Sequence, residues 1–210
     1  LELVGVTLRR KIASVAFGLA LGAGAAYGDV IEEIKADIAA NPDDPDLYVE
    51  LAMEYEYANN WRDAVDAYLM ALALAPSDAD VHVRLADVYF DVEKFEPAIE
   101  EYRKALALDA GLAKAYYQSG RAYFSLRRYD QAIASLETYV QEQPYDFNGR
   151  WFLGRALEET GRKKEALQQY EKILDYSTGA YAAAGKIGVF GTSDDLAAYV
   201  GKLRKEIYGD

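Results

Sequence analysis

The chain has 210 residues, no cysteine, one histidine and a formal net charge of -12. Disulfides, zinc–thiolate sites and thiol nucleophiles are therefore excluded, and His82 alone leaves almost no material for a histidine metal site or a serine–histidine triad. The acidity disfavours nucleic acid and anionic membrane surfaces as partners, and much of it serves as a solvated surface.

Residues 1–28 differ from everything after them. Arg9, Arg10 and Lys11 stand against Glu2, a local balance of +2 that leaves -14 for the remainder. They precede an uncharged run, residues 12–27, with Ala23, Gly24 and Ala25 near its end. A basic flank, an apolar run and a small-residue exit form the pattern of a secretory signal peptide. As a helix the run spans about 24 Å at ~1.5 Å per residue, short of the roughly 30 Å hydrocarbon core, which favours cleavage. The alternative is an N-terminal membrane anchor, a hydrophobic helix through residues 12–27. Ser14, Gly18, Gly22 and Ala26 lie four apart on it, a small-residue stripe that can pack on another membrane helix. In both readings the cationic flank stays cytoplasmic and the rest is exported, so an extracytoplasmic, periplasmic location is expected. Arg9-Arg10 matches a twin-arginine signal only in the arginine pair. Gly22 and Gly24 lack the strand–turn–helix setting of a dinucleotide loop.

Residues 29–40 read as an amphipathic helix with Val30, Ile31, Ile34 and Ile38 on one side. A turn of Pro42, Asp43, Asp44 and Pro45 follows, so residues 29–44 are expected to cap the start of what comes next. The aspartates lack the glycine and the closing glutamate of a calcium loop at the required spacing, and act as turn and helix-capping residues.

Residues 45–178 repeat with a period of thirty-four, four times, without insertion or deletion. The blocks are 45–78, 79–112, 113–146 and 147–180. Positions 4, 7, 8 and 11 of the first block are Tyr48, Leu51, Ala52 and Tyr55, one face of a helix. Positions 20, 24 and 27 are Ala64, Tyr68 and Ala71, one face of a second helix. Position 8 is always small (Ala52, Ala86, Gly120, Gly154), and position 20 is always alanine (Ala64, Ala98, Ala132, Ala166). Small residues there let two backbones approach while aromatics and leucine fill the groove between them. One hairpin leaves its apolar face exposed, so successive blocks must stack. His82 stands at position 4 and reads as a groove-filling aromatic.

This pattern resembles the tetratricopeptide repeat (TPR), in period and in the alternation of large and small residues. The resemblance implies an all-α solenoid of helix–turn–helix units wound as a right-handed superhelix. Pro97 just inside a second helix and Gly161 at a hairpin turn agree with it. Tyr139 and Ile173 occupy a usually small position, which predicts looser or shifted packing between blocks three and four. Residues 181–210 read as a degenerate fifth hairpin: a short first helix over 181–189, then a C-terminal capping helix. The latter carries Leu196, Val200, Leu203 and Ile207 on one stripe and Lys202, Arg204, Lys205 and Glu206 opposite.

In the resembled family the first helices line a concave face that binds protein or peptide. Carried over by position, that face holds Met53, Tyr57, Val83, Asp87 and Phe90, then Lys114, Tyr117, Arg121, Phe124, Trp151 and Arg155. The aromatics form a line, and Lys114, Arg121 and Arg155 concentrate positive charge in the second half. This suits an extended or helical peptide with an acidic group or a C-terminal carboxylate. The alternative is that the aromatics pack on neighbouring hairpins and the arginines pair with local glutamates. Val49 and Met53 stand where chaperone-binding members carry a Lys and Asn carboxylate clamp, which argues against a cytosolic cochaperone. Adjacent carboxylates such as Glu158 and Glu159 do not face each other across a substrate, and no nucleophile–base pair or phosphate loop is present. The expectation is a non-catalytic scaffold without cofactor or metal, in the cell envelope, with a role in assembly. An accessory subunit of a larger membrane complex is the second reading, and head-to-tail self-assembly the third.

Overall fold

The computed structural model of the chain describes residues 23–178 and 193–209. The apolar run over residues 12–22 and the short helix expected over 181–189 lie outside them. Among the described residues every element is helical, and no helix is long and apolar enough to cross a membrane. The chain divides into two compact units between Glu93 and Lys94, at the hairpin turn of the second block.

The first unit contains α1 (Ala23–Ala40), α2 (Pro45–Tyr57), α3 (Trp61–Leu74) and α4 (Ala79–Asp91). Helix α1 starts upstream of the predicted residue 29, across Ala23, Ala25 and Ala26, which are strong helix formers. It packs on α2: Ile34 is fully buried, with Val30, Ile31 and Ile38 against the same core. That core contains Ala52, Ala64, Tyr68 and Ala71, the predicted small and large positions of the first hairpin.

The second unit contains α5 (Phe95–Leu108), α6 (Ala113–Ser125), α7 (Tyr129–Glu142), α8 (Phe147–Glu159), α9 (Lys163–Thr178) and α10 (Ser193–Tyr208). Here the notch at position 8 is explicit. A Cβ added to Gly120 would sit 2.6 Å from Leu136 Cγ, and one added to Gly154 would sit 2.4 Å from the Tyr170 ring. Leu136 and Tyr170 are fully buried. Burying side chains of this size stabilises by roughly 1.5–3 kcal/mol each. The expected C-terminal helix is present as α10, and its stripe Leu196, Val200 and Leu203 packs in the same core as Leu167, Tyr170 and Ile173.

The loosening expected from Tyr139 and Ile173 is absent. Tyr139 is buried and Ile173 fully so. The Tyr139 ring lies where a Cβ on Gly149 would be, 2.4 Å away, and its hydroxyl donates to Asp146 at 2.9 Å. A glycine on the facing helix compensates for the large residue.

Three features recur with the period. Position 15 takes a left-handed conformation in all four blocks: Asn59 (φ 57°), Glu93 (59°), Arg127 (56°) and Gly161 (78°). This closes each first helix, with backbone bonds such as Arg128 N–H to the Tyr123 carbonyl at 2.9 Å. Asp44, Asp78 and Asp146 cap α2, α4 and α8, whereas α6 has Leu112 there and no side-chain cap. Position 4 donates to the carbonyl six residues back: Tyr48 to Pro42 (3.0 Å), His82 Nε2 to Pro76 (3.2 Å) and Arg150 Nε to Pro144 (2.8 Å). His82 is thus a buried structural side chain, and the bond to a carbonyl requires its proton on Nε2. Arginine replaces an aromatic at this position because it supplies the same donor and stacks its guanidinium on Tyr176, 5.4 Å away.

Candidate functional site

Helices α2 and α4 of the first unit and α6 and α8 of the second carry the residues assigned to the partner-facing row, and the chemistry around them differs between the units. In the first unit Tyr57 is 61 % exposed, while Met53, Asp87 and Phe90 are half-buried. Val83 is buried, so of the apolar residues assigned to the row it presents the least surface. Glu56 accepts a hydrogen bond from Tyr68 and is faced by Arg84, Asp87 and Asp91. Burial, then the negative charge of Asp87 and Asp91, holds the Glu56 carboxyl above its usual range against the opposing pull of Tyr68 and Arg84. Burial, then the bond to Glu56, pushes the Tyr68 phenol up. This part of the row is acidic, with Met53, Tyr57 and Phe90 as its accessible apolar side chains.

In the second unit the assigned residues come together in two groups. Tyr117, Arg121 and Phe124 converge on Phe152. The Arg121 guanidinium lies 5.5 Å from the Tyr117 ring centre and 5.4 Å from that of Phe152, and Phe124 meets Phe152 edge-on at 5.9 Å. Gln118 accepts from Arg121 Nη1 at 2.8 Å. The Tyr117 and Phe152 rings meet edge-on at 6.1 Å, and the guanidinium beside them gains cation–π attraction from both while keeping a fork suited to carboxylates. Lys114 is exposed on the first turn of the same helix.

The second group is built on Glu158. It accepts from Tyr170 at 2.6 Å and from Tyr199 of α10 at 2.7 and 2.8 Å. Arg155 stacks on Trp151 at 5.4 Å and approaches Glu158 at 3.9 Å and Glu159 at 3.8 Å. Trp151 packs on Tyr170 and Tyr199 at 5.2 and 6.4 Å. Burial, then the bond to Glu158, raises the phenols of both Tyr170 and Tyr199. Aromatic packing on neighbouring helices and arginine pairing with local glutamate are therefore both present, alongside partial exposure of the same side chains.

Glu158 falls on the concave face by its position in the block, whereas Phe152 and Tyr199 are central to these groups but absent from the residues assigned by sequence. Phe152 had a usable signal, since positions equivalent to it hold Glu50, Arg84 and Gln118. Tyr199 had none, because it lies outside the blocks, 41 residues from Glu158. Among the described residues no three His, Asp or Glu side chains converge as a metal site.

Comparison with known proteins bears on the fold. Residues 86–127 match a TPR-repeat family model and residues 117–184 a tetratricopeptide-repeat model. No curated protein matches the sequence. Among solved structures, MamA from Desulfovibrio magneticus RS-1 is similar at 18 % identity, TM-score 0.70, over 83 % of this chain and 96 % of that one. YrrB, described as a TPR protein with an unusual peptide-binding site, is similar at 23 % identity, TM-score 0.65, over 86 % and 94 %. The first TPR of Spaghetti bound to an HSP90 peptide is similar at 23 % identity, TM-score 0.54, over 56 % and 93 %. The two family models thus match tetratricopeptide repeats over residues 86–184, and the solved neighbours show the all-helical solenoid fold.

Proposed function

We propose that this chain is a non-catalytic scaffold that binds a protein or peptide partner through the row on its first helices, in the cell envelope, as an assembly factor. One observation carries the reading: partly exposed aromatics converge on Phe152 of α8, with the Arg121 guanidinium set beside the edge-on Tyr117–Phe152 pair. Such a surface suits a segment with apolar side chains and a carboxylate. Peptide binding by the similar TPR proteins YrrB and Spaghetti is in keeping with it. The envelope location rests on Arg9, Arg10 and Lys11 before the uncharged run over residues 12–27.

A photo-crosslinking residue placed at Phe124, in the native cells, tests the face. A discrete adduct is expected there, lost on Arg121→Glu, with none from the exposed position Gln131 of α7. Equal adducts at the two positions, or none at Phe124, would sink the proposal. The accessory membrane subunit remains a second reading because Ser14, Gly18, Gly22 and Ala26 form a small-residue stripe. Intact mass of the native protein separates the two: a soluble chain beginning near Ala26 favours the exported scaffold, and a membrane-bound chain retaining residues 9–27 favours the subunit.

A further inference from the structure

Helix α10 does more than cover the end of the second unit. Its stripe Leu196, Val200 and Leu203 is buried, as a capping helix requires. Tyr199 stands beside that stripe and reaches across α9 to the first helix of block four. Its ring lies edge-on to Tyr170 of α9 at 5.6 Å and to Trp151 of α8 at 6.4 Å. Its hydroxyl donates to Glu158 at 2.7 and 2.8 Å from the two oxygens. Trp151 and Glu158 are positions 5 and 12 of their block, the repeat equivalents of Tyr117 and Phe124. The partner-facing row is thus occupied at its block-four end by a tyrosine of the same chain. Other polar ties of α10 include the exposed pairs Lys163–Glu206 and Glu171–Arg204, a class of contact that adds little to stability, and Lys164 over the Tyr208 ring at 5.6 Å.

We infer that α10 is an intramolecular stand-in for the partner, and that Trp151, Glu158 and Tyr170 form a notch that accepts a tyrosine from an amphipathic helix. The partner presents a tyrosine beside an aliphatic stripe spaced four and three residues apart, as in Leu196, Val200 and Leu203. It takes the place of α10, so release of α10 gates the block-four end of the row. This rests on the binding face proposed above and adds the occupant and its chemistry. Glu158 supplies the discrimination: a phenol donates to the carboxylate, and a phenylalanine would leave that acceptor short of one donor.

The probe is a fluorescent synthetic peptide of residues 193–208, titrated against the full chain. Leu203→Lys puts a charge into the buried stripe of α10 and leaves Trp151, Glu158 and Tyr170 unsubstituted, and its chain is expected to bind the peptide about tenfold tighter than wild type. A peptide carrying Tyr199→Phe is expected to bind roughly tenfold weaker than the natural one, the loss of a hydrogen bond to a charged acceptor. Should the Leu203→Lys chain misfold, the isotope-labelled wild-type chain decides: saturating peptide must accelerate amide exchange across α10. Unchanged exchange, equal affinity of wild-type and Leu203→Lys chains, or equal affinity of the tyrosine and phenylalanine peptides overturns the inference. Each of these failures leaves crosslinking at Phe124 untouched, and failed crosslinking leaves the peptide result standing.

Discussion

The hairpin of α2 and α3 sets Ala52 and Tyr68 at its small and large positions, and the hairpin of α8 and α9 sets Gly154 and Tyr170 there. In both, the buried tyrosine donates to a glutamate twelve residues earlier, Glu56 or Glu158. The surroundings then diverge. Glu56 is faced by Arg84, Asp87 and Asp91 of α4, whereas Glu158 holds a second tyrosine from α10 and lies beside Arg155. Repeat spacing therefore sets the geometry within a hairpin, and the helix that packs next to it decides the electrostatics of its partner-facing side.

The largest expected effect breaks the notch. Gly154→Ala drives a methyl into the Tyr170 ring and should destabilise by about 1–3 kcal/mol despite the better helix propensity of alanine. Gly201→Ala on α10, where nothing lies within 4 Å, should instead stabilise by about 0.5–1 kcal/mol. Urea melts of the two variants read the contrast, and a stabilised Gly154→Ala chain would mean the notch is not filled as described.

The two tyrosine–glutamate pairs can then be set against each other. Tyr68→Phe removes the hydroxyl donor at Glu56 and should cost about 1–2 kcal/mol. Tyr170→Phe should cost less, because Glu158 keeps Tyr199, and Tyr170→Phe with Tyr199→Phe should bring the loss level with Tyr68→Phe. Equal single-variant losses would show that α10 contributes nothing to Glu158. A smaller gain is expected where the repeat lacks a feature its neighbours have. Leu112→Asp supplies the missing cap of α6 and should raise stability by about 1 kcal/mol, read as a higher urea midpoint.

The pH dependence of the first unit gives the finest distinction. Because the folded Glu56 carboxyl sits above its ordinary value of 4.5, the native state binds this proton more tightly than the unfolded one. Its contribution is complete below that ordinary value and is lost as pH rises through the raised folded value. Glu56→Gln should flatten the corresponding fall in stability above pH 4.5, measured by urea midpoints against pH. An unchanged slope would place the titration elsewhere.

Much of the hairpin architecture was legible because it is local. Position 8 small, position 20 alanine and position 24 large recur within thirty-four residues, and the buried cores follow them. The stripes of α1 and α10 were readable for the same reason. The packing of Tyr139 was misread because its compensation, Gly149, lies on a different helix and has no place in the repeat signature. The row was legible as an address on the first helices, but not as a set of contacts. Phe152 joins it from a position that is polar in the other blocks, and Tyr199 joins it from outside the blocks altogether.

The sequence by itself determined the helices, their pairing into hairpins and the small-to-large fit that stacks them, since each depends on side-chain size at a fixed helical spacing. Only the tertiary structure decided which partner-facing side chains are covered, which carboxylates meet phenols, and that Val83 is buried while Tyr57 is open. Those outcomes depend on which helix lies alongside, and side chains from separate helices meet through packing that no single period encodes.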